Sequence, residues 1–310
     1  MARLSFTFVA ASLALSMLAA ASPMPAPRLA VVPREAAKLA YDEETKSYIA
    51  FDGAGKHLGY VDRVADASLG RRDGSCAALS SDDVQKLPGW DKLVSQANDN
   101  WGDHKRKIVT NDSDYPDRPA SICAKDAGDI TINGDPECTT TTQTLSTGVK
   151  DTTGIATVSQ ITGTSFSSSQ TVTQESSISV GETVDVKVGI PEVADLTSST
   201  SLTATFTNSL SKSTTSTSNQ QTTQMVAINI PKDSTCDITY KQTTCSTHGS
   251  GQVPFTATGW VWFEYDSKTE GHYKWALNMD NLLSDDERSS YMKFDSVVST
   301  DTKGDYEANC

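Results

Sequence analysis

The chain has 310 residues, and 39 acidic against 26 basic side chains leave a formal net charge of −13. That balance excludes nucleic acid as a partner, and it excludes docking to anionic lipid by charge alone. With 37% hydrophobic residues the chain carries enough apolar surface to bury a core, which separates it from the highly charged disordered class.

Residues 1–21 read as a secretion signal. Arg3 gives a basic start, Phe6-Thr7-Phe8-Val9 and Leu13-Ala14-Leu15 an apolar centre, and Ala19-Ala20-Ala21 a small-residue cleavage site. The expected product is secreted. Residues 22–72 form a leader or pro-segment. It is rich in proline at first, then shows a hairpin pattern over 46–61 turning at Gly53-Ala54-Gly55. Arg71-Arg72 is either a processing site at Arg72 that frees this segment or two exposed arginines in a loop.

Residues 73–138 read as a small α+β head. Ser81-Asp82-Asp83 suits a helix start, and Trp90, Leu93, Val94, Ala97 and Trp101 follow helical spacing up to Gly102. Asn111-Asp112-Ser113 makes Asn111 the one usable N-glycosylation position. The six cysteines, Cys76, Cys123, Cys138, Cys236, Cys245 and Cys310, point to three disulfides, because none has the close spacing of a zinc site. Fifteen connectivities stay open at this point. Cys236 and Cys245 close a small loop only if the chain turns between them; Cys310 pins the tail.

Residues 139–258 hold the most distinctive pattern. From Thr164 onward, even positions carry Phe166, Val172, Ile178, Val180, Val184, Val186, Val188 and Ile190, while odd positions are mostly Ser, Thr or Gly. After Pro191-Glu192-Val193-Ala194-Asp195 the rule resumes with Leu196, Leu202, Ala204, Phe206 and Leu210. Alternation with period two gives a strand with one apolar and one hydroxyl face. Two continuous arms are therefore expected, joined at a five-residue tip with Ile190 opposite Leu196, Val186 opposite Thr200 and Val184 opposite Leu202. Glu182 is the charged exception on the apolar face. A Ser/Thr-rich stalk is the competing reading, since 16 of the 22 residues over 197–218 are Ser or Thr. A stalk has no reason to keep apolar residues on one parity.

Such a ribbon, repeated around a ring, closes into a barrel that satisfies every backbone group, with the apolar face toward lipid. The tip-proximal parts 181–190 and 196–205 match the length a membrane strand needs. In that reading Val180, Val184, Val186, Val188, Ile190, Leu196, Leu202, Ala204 and Phe206 meet lipid. Thr183, Asp185, Lys187, Thr203 and Thr205 line the water-filled side.

Residues 259–310 add an aromatic hairpin, Trp260-Val261-Trp262-Phe263-Glu264-Tyr265 returning through His272-Tyr273-Lys274-Trp275. It reads as a mixture of core and a face for sugar or lipid head groups. Ser284-Asp285-Asp286-Glu287 reads as a capping box. The four histidines are scattered and no catalytic or metal motif is present, so no enzyme activity, cofactor or metal is expected.

Over about 143–258 the chain resembles the aerolysin-like β-pore-forming proteins, especially the epsilon-toxin and mosquitocidal-toxin branch. The resemblance rests on four stretches in order. They are Val186-Lys187-Val188-Gly189-Ile190-Pro191, the arm Ser199-Thr200-Ser201-Leu202-Thr203-Ala204-Thr205-Phe206-Thr207-Asn208, Ile228-Asn229-Ile230-Pro231-Lys232-Asp233-Ser234-Thr235, and Val253-Pro254-Phe255-Thr256-Ala257. It implies an elongated, mainly β molecule with long twisted antiparallel strands. It also implies a surface receptor (glycan, lipid or protein), a homo-oligomer on the target-cell membrane, and one insertion hairpin per subunit, here about 176–210. The rival readings are a non-lytic lectin-like protein using the hairpin over 260–275, and a Ser/Thr-rich cell-wall protein.

Overall fold

The computed structural model describes residues 27–63, 76–162, 165–178, 183–192, 200–219, 221–301 and 305–310. The expected signal segment, Arg72, Val180, Glu182 and Leu196 lie outside the described residues.

The fold is mainly β, with an elongated sheet. Its first elements are strands β1 (Arg28–Leu29), β2 (Lys38–Asp42), β3 (Ser47–Phe51), β4 (His57–Asp62) and β5 (Cys76–Ala78). Helices α1 (Ser81–Val84) and α2 (Trp90–Trp101) and strands β6 (Arg106–Val109) and β7 (Ala120–Ala124) follow. Local chemistry sets the boundaries. Asp42 accepts the amides of Glu44 and Thr45 and so turns β2 into β3. Ser80 caps α1 by accepting the Asp83 amide at 3.0 Å, and Gly102 ends α2 at a φ of 81°.

The middle of the chain is almost all strand: β8 (Thr131–Gly148), β9 (Gly154–Thr162), β10 (Ser165–Gln174), β11 (Val184–Ile190), β12 (Thr200–Phe206), β13 (Ser213–Asn219) and β14 (Thr222–Ile230). The spine comes next. Strand β15 runs unbroken over 35 residues, Thr235–Thr269, on the order of 100 Å at about 3.3 Å per residue. It carries both Cys236 and Cys245 and the first arm of the aromatic hairpin, and it bends at Gly259, whose φ is 98°. A side chain there would strike the Pro119 carbonyl. Strand β16 (His272–Asn278), α3 (Met279–Leu282), a 3-10 turn at Asp286–Arg288, β17 (Ser289–Asp301) and β18 (Asp305–Asn309) complete the chain. The capping box is present on that turn: Ser284 donates its amide to Glu287 Oε2 at 2.8 Å, and the Glu287 amide returns to Ser284 Oγ.

Around the spine, β8, β15, β17, β10 and β13 lie side by side in that order, all antiparallel. Strands β9 and β14 form a ladder of their own. At the other end, β16 pairs with β15, β2 with β16, β3 with β2 and β4 with β3. The stretch expected to be a leader thus contributes strands to the head sheet. Leu39, Tyr48, Ala50 and Val61 share one buried cluster with Trp260 and Trp262. On the opposite face Trp90 stacks on Phe263 and Trp101 on Trp275.

Candidate functional site

Strands β11 and β12 form a two-stranded sheet that, among the described residues, has no ladder to another strand. Their burial alternates as the sequence pattern requires. Val184, Val186, Val188, Ile190, Leu202, Ala204 and Phe206 are buried, while Thr183, Asp185, Lys187, Thr203 and Thr205 are exposed. The apolar face lies in the same core cluster as Phe166, Val172, Val253, Phe294 and Val298 of the sheet, and the rings of Phe206 and Phe294 are 5.0 Å apart. On the exposed face Thr205 donates to Asp185 at 2.6 Å. The hairpin is thus a two-faced ribbon stowed against the body.

Three sets of polar contacts hold it. A strap over residues 125–130, which the sequence reading missed, crosses the edge of β11. The Ile130 amide donates to the Gly189 carbonyl at 2.8 Å, and the Lys187 amide donates to Asp126 Oδ1 at 3.2 Å. Asp129 bridges Gly189 and occupies the space a side chain at 189 would need. On the other edge Ser216 donates to the Thr203 carbonyl at 2.9 Å. At the base, Asn208 accepts the Ser176 amide at 2.7 Å and donates to the Ser176 and Ile178 carbonyls, while Glu175 accepts the Leu210 amide.

The face beneath the hairpin is partly polar. Ser168, Gln170, Ser296 and Thr300 are buried on the same faces of β10 and β17 as Phe166, Val172, Phe294 and Val298. Ser168 and Ser296 hydroxyls meet at 3.0 Å, and Gln170 donates to Ser168. Gln170 Oε1 and the buried Thr247 hydroxyl have no hydrogen-bond partner among the described residues. Buried polar atoms cost free energy when unpaired, so this layer adheres less than an apolar one would.

Two expectations about the arms need correction. The first arm is not continuous from Thr164 to Ile190: it stops at Gln174 and resumes at Val184. The second ends at Phe206, leaving Leu210 56% exposed in a turn. The pairing differs too. Val188, not Val184, faces Leu202; Val184 faces Phe206, Val186 faces Ala204 and Ile190 faces Thr200. The observed register differs from the expected one by an even step, so every side chain keeps its face. The physical reason for the break is side-chain bonding by Glu175 and Asn208 to backbone groups that a continuous ladder would use.

The disulfides are Cys76–Cys123, Cys138–Cys245 and Cys236–Cys310. Cys236 and Cys245 lie in one uninterrupted strand and take separate partners; Cys310 fixes the tail to the spine. Asn111 is exposed, yet its amide donates to the Leu79 carbonyl at 2.8 Å and accepts the Ala120 amide at 3.0 Å. The aromatic hairpin is core rather than a mixture. Trp260, Trp262, Phe263, Tyr265 and Trp275 are all buried, and Tyr273 alone of its large aromatics is exposed. Among the described residues, no group of three or more His, Cys, Asp or Glu converges in a way that could hold a metal. The titratable pairs in the head read as structural. Tyr48 donates to Asp117 at 2.5 Å and Tyr115 to Glu264 at 2.6 Å. Burial first, then these bonds, push both phenols far above their ordinary range.

No family model matches the sequence, and no curated protein matches it. Among solved structures, 28 chains match. One is the parasporin-2 toxin of Bacillus thuringiensis that recognizes cancer cells, at 15% identity and a TM-score of 0.37, covering 76% of this chain and 96% of that one. A non-toxic crystal protein from Bacillus thuringiensis matches at 12% identity and a TM-score of 0.41, covering 75% and 96%. The Mpp75Aa1.1 β-pore-forming protein from Brevibacillus laterosporus matches at 11% identity and a TM-score of 0.32, covering 87% and 80%.

Proposed function

We propose that the protein is a secreted pore former. It engages a receptor on a target-cell surface, assembles with further copies of itself, and inserts the hairpin of β11 and β12 into the membrane as part of a β-barrel. The observation that carries this reading is the stowed hairpin itself, which has seven buried apolar positions on one face, polar residues on the other and, among the described residues, no ladder to the body. Ordinary hydrophobic burial explains the apolar face but not a detachable ribbon over a layer of serines and glutamine. Lipid supplies an alternative home for the apolar face, and closure of several hairpins satisfies their open edges. No described helix is long and apolar enough to cross a membrane, so strands are the proposed spanning elements. The lectin-like alternative has less support, because five large aromatics of the hairpin are buried and Tyr273 alone is exposed.

The test is dye release from liposomes made with target-cell lipid extract, using a variant that ties the strap to the hairpin, D129C/G189C. Wild type is expected to release dye. The oxidised variant is expected to be silent and to recover on reduction. Wild-type protein that binds these liposomes and releases nothing would sink the proposal.

A further inference from the structure

The stowed hairpin is out of step with the strands that carry it. Paired residue numbers total 384 along β9 and β14, as in Gly154 with Ile230, and again 384 along β10 and β13, as in Thr171 with Ser213. Along β11 and β12 they total 390, as in Val184 with Phe206. The difference is six residues. It arises at the base. Val172 still bonds the backbone of Ser211 and Lys212, and from there residues 173–183 lead to one arm and only 207–211 to the other.

We propose that the hairpin, on leaving the body, re-pairs by six residues and becomes a direct continuation of the β10 and β13 ladder. The proposal rests on the pore-forming reading above and specifies the structure that the released hairpin adopts. In the new register Ile178 faces Phe206, Thr183 faces Ser201 and Val184 faces Thr200.

Three observations carry it. First, the shift is even. A slip by an odd number would turn every valine toward water, whereas six leaves all apolar residues on their present face. Second, keeping the stowed register in an extended ribbon would leave six surplus residues of one arm without ladder partners. A barrel in or near lipid cannot carry that many unpaired backbone groups cheaply. Third, the new pairing is already begun. Position 208 faces position 176 in the continued ladder, and the Asn208 side chain already accepts the Ser176 amide and donates to the Ser176 carbonyl. The amide side chain holds the backbone of the residue that its own backbone would later face. Alternating hydroxyl and apolar residues also make such a slip tolerable, because no position on either arm demands a unique partner.

Two cysteine pairs on the exposed face test this in the full-length protein. D185C/T205C joins residues that face each other now; T183C/S201C joins residues that face each other only after re-pairing. Oxidised D185C/T205C should release liposome dye at least tenfold more slowly than its reduced form. T183C/S201C should stay reduced in solution and close on membranes, as read by peptide mass on bound protein whether or not dye escapes. Leakage from oxidised D185C/T205C at the reduced rate would overturn the re-pairing. Leakage without closure of T183C/S201C would overturn it too, and would leave the pore former standing. Closure without leakage would keep the re-pairing and remove the pore. Neither closure nor leakage would overturn both.

Discussion

Gly189 shows how a single residue couples the body to the hairpin. It has ordinary strand geometry, so its value lies in the missing side chain, whose space Asp129 fills. Gly189→Ala should push the strap away at a cost of about 1–3 kcal/mol, as overpacking does. Hydrogen exchange over 184–190 and 200–206 should speed up in the soluble protein. The double variant G189A/D129A should restore protection, because the clashing carboxylate is gone; continued fast exchange there would show that the strap is not the restraint. The alternation of buried and exposed positions around Gly189 was legible in the sequence, because period two is a local property. The strap was not, because Asp126, Asp129 and Ile130 act on residues about sixty positions away. The buried phenols make a second prediction at this scale. Tyr48 and Tyr115 have folded pKa values raised above their unfolded value of about 10. Their contribution is therefore complete below pH 10 and declines as pH rises beyond it. Urea melts between pH 8 and 11 should show this loss, and Tyr48→Phe with Tyr115→Phe should flatten it while lowering stability at neutral pH.

Among the elements, the strands of the body were easier to foresee than their ends. Serine and threonine accept a strand ladder, water or a side-chain bond almost equally. A run of them therefore gives the face of a strand but not where pairing stops. The break between Gln174 and Val184 depends on Glu175 and Asn208 reaching backbone groups across the base, and no spacing rule encodes that. The spine makes a similar point, since it runs on through Pro254 and Gly259, residue types that usually interrupt a strand. Strand β18 gives a prediction for one element alone. Among the described residues it pairs with β15 alone, and Cys310 ties it to Cys236. Cys236→Ser with Cys310→Ser should raise hydrogen exchange over 305–309 at least tenfold. The head, with its separate Cys76–Cys123 link, should keep its protection. Equal loosening of both regions would mean that the tail is not an independent unit.

For the whole molecule, the head sheet changes what cleavage near Arg72 would accomplish. Strand β2 pairs with β16 at Lys38–Leu277 through Tyr41–Lys274, and Lys38 bonds Asn100 of α2 at 2.8 Å. Residues on the amino-terminal side carry no cysteine, so non-covalent contacts alone would retain them, among them the Tyr48–Asp117 bond and the apolar cluster shared with Trp260 and Trp262. Protease nicking within 64–75 should leave a complex that stays together in native mass spectrometry and separates under denaturant. Immediate dissociation would show that the head sheet does not need its first strands. The sequence showed that a hairpin exists over 46–61 and gave no sign of how it joins the head, because its neighbour β2 pairs in turn with a strand more than two hundred residues later.

That distance has a consequence in time. The spine cannot complete its lower end until β18 arrives, and Cys236 waits for Cys310, 74 residues later. The first strands likewise wait for β16. Loops of this size close before their contacts repay them, so folding of such a topology is slow. Much of this polypeptide is therefore made before its native partners exist, and the growing chain passes through an interval in which it is still a thread.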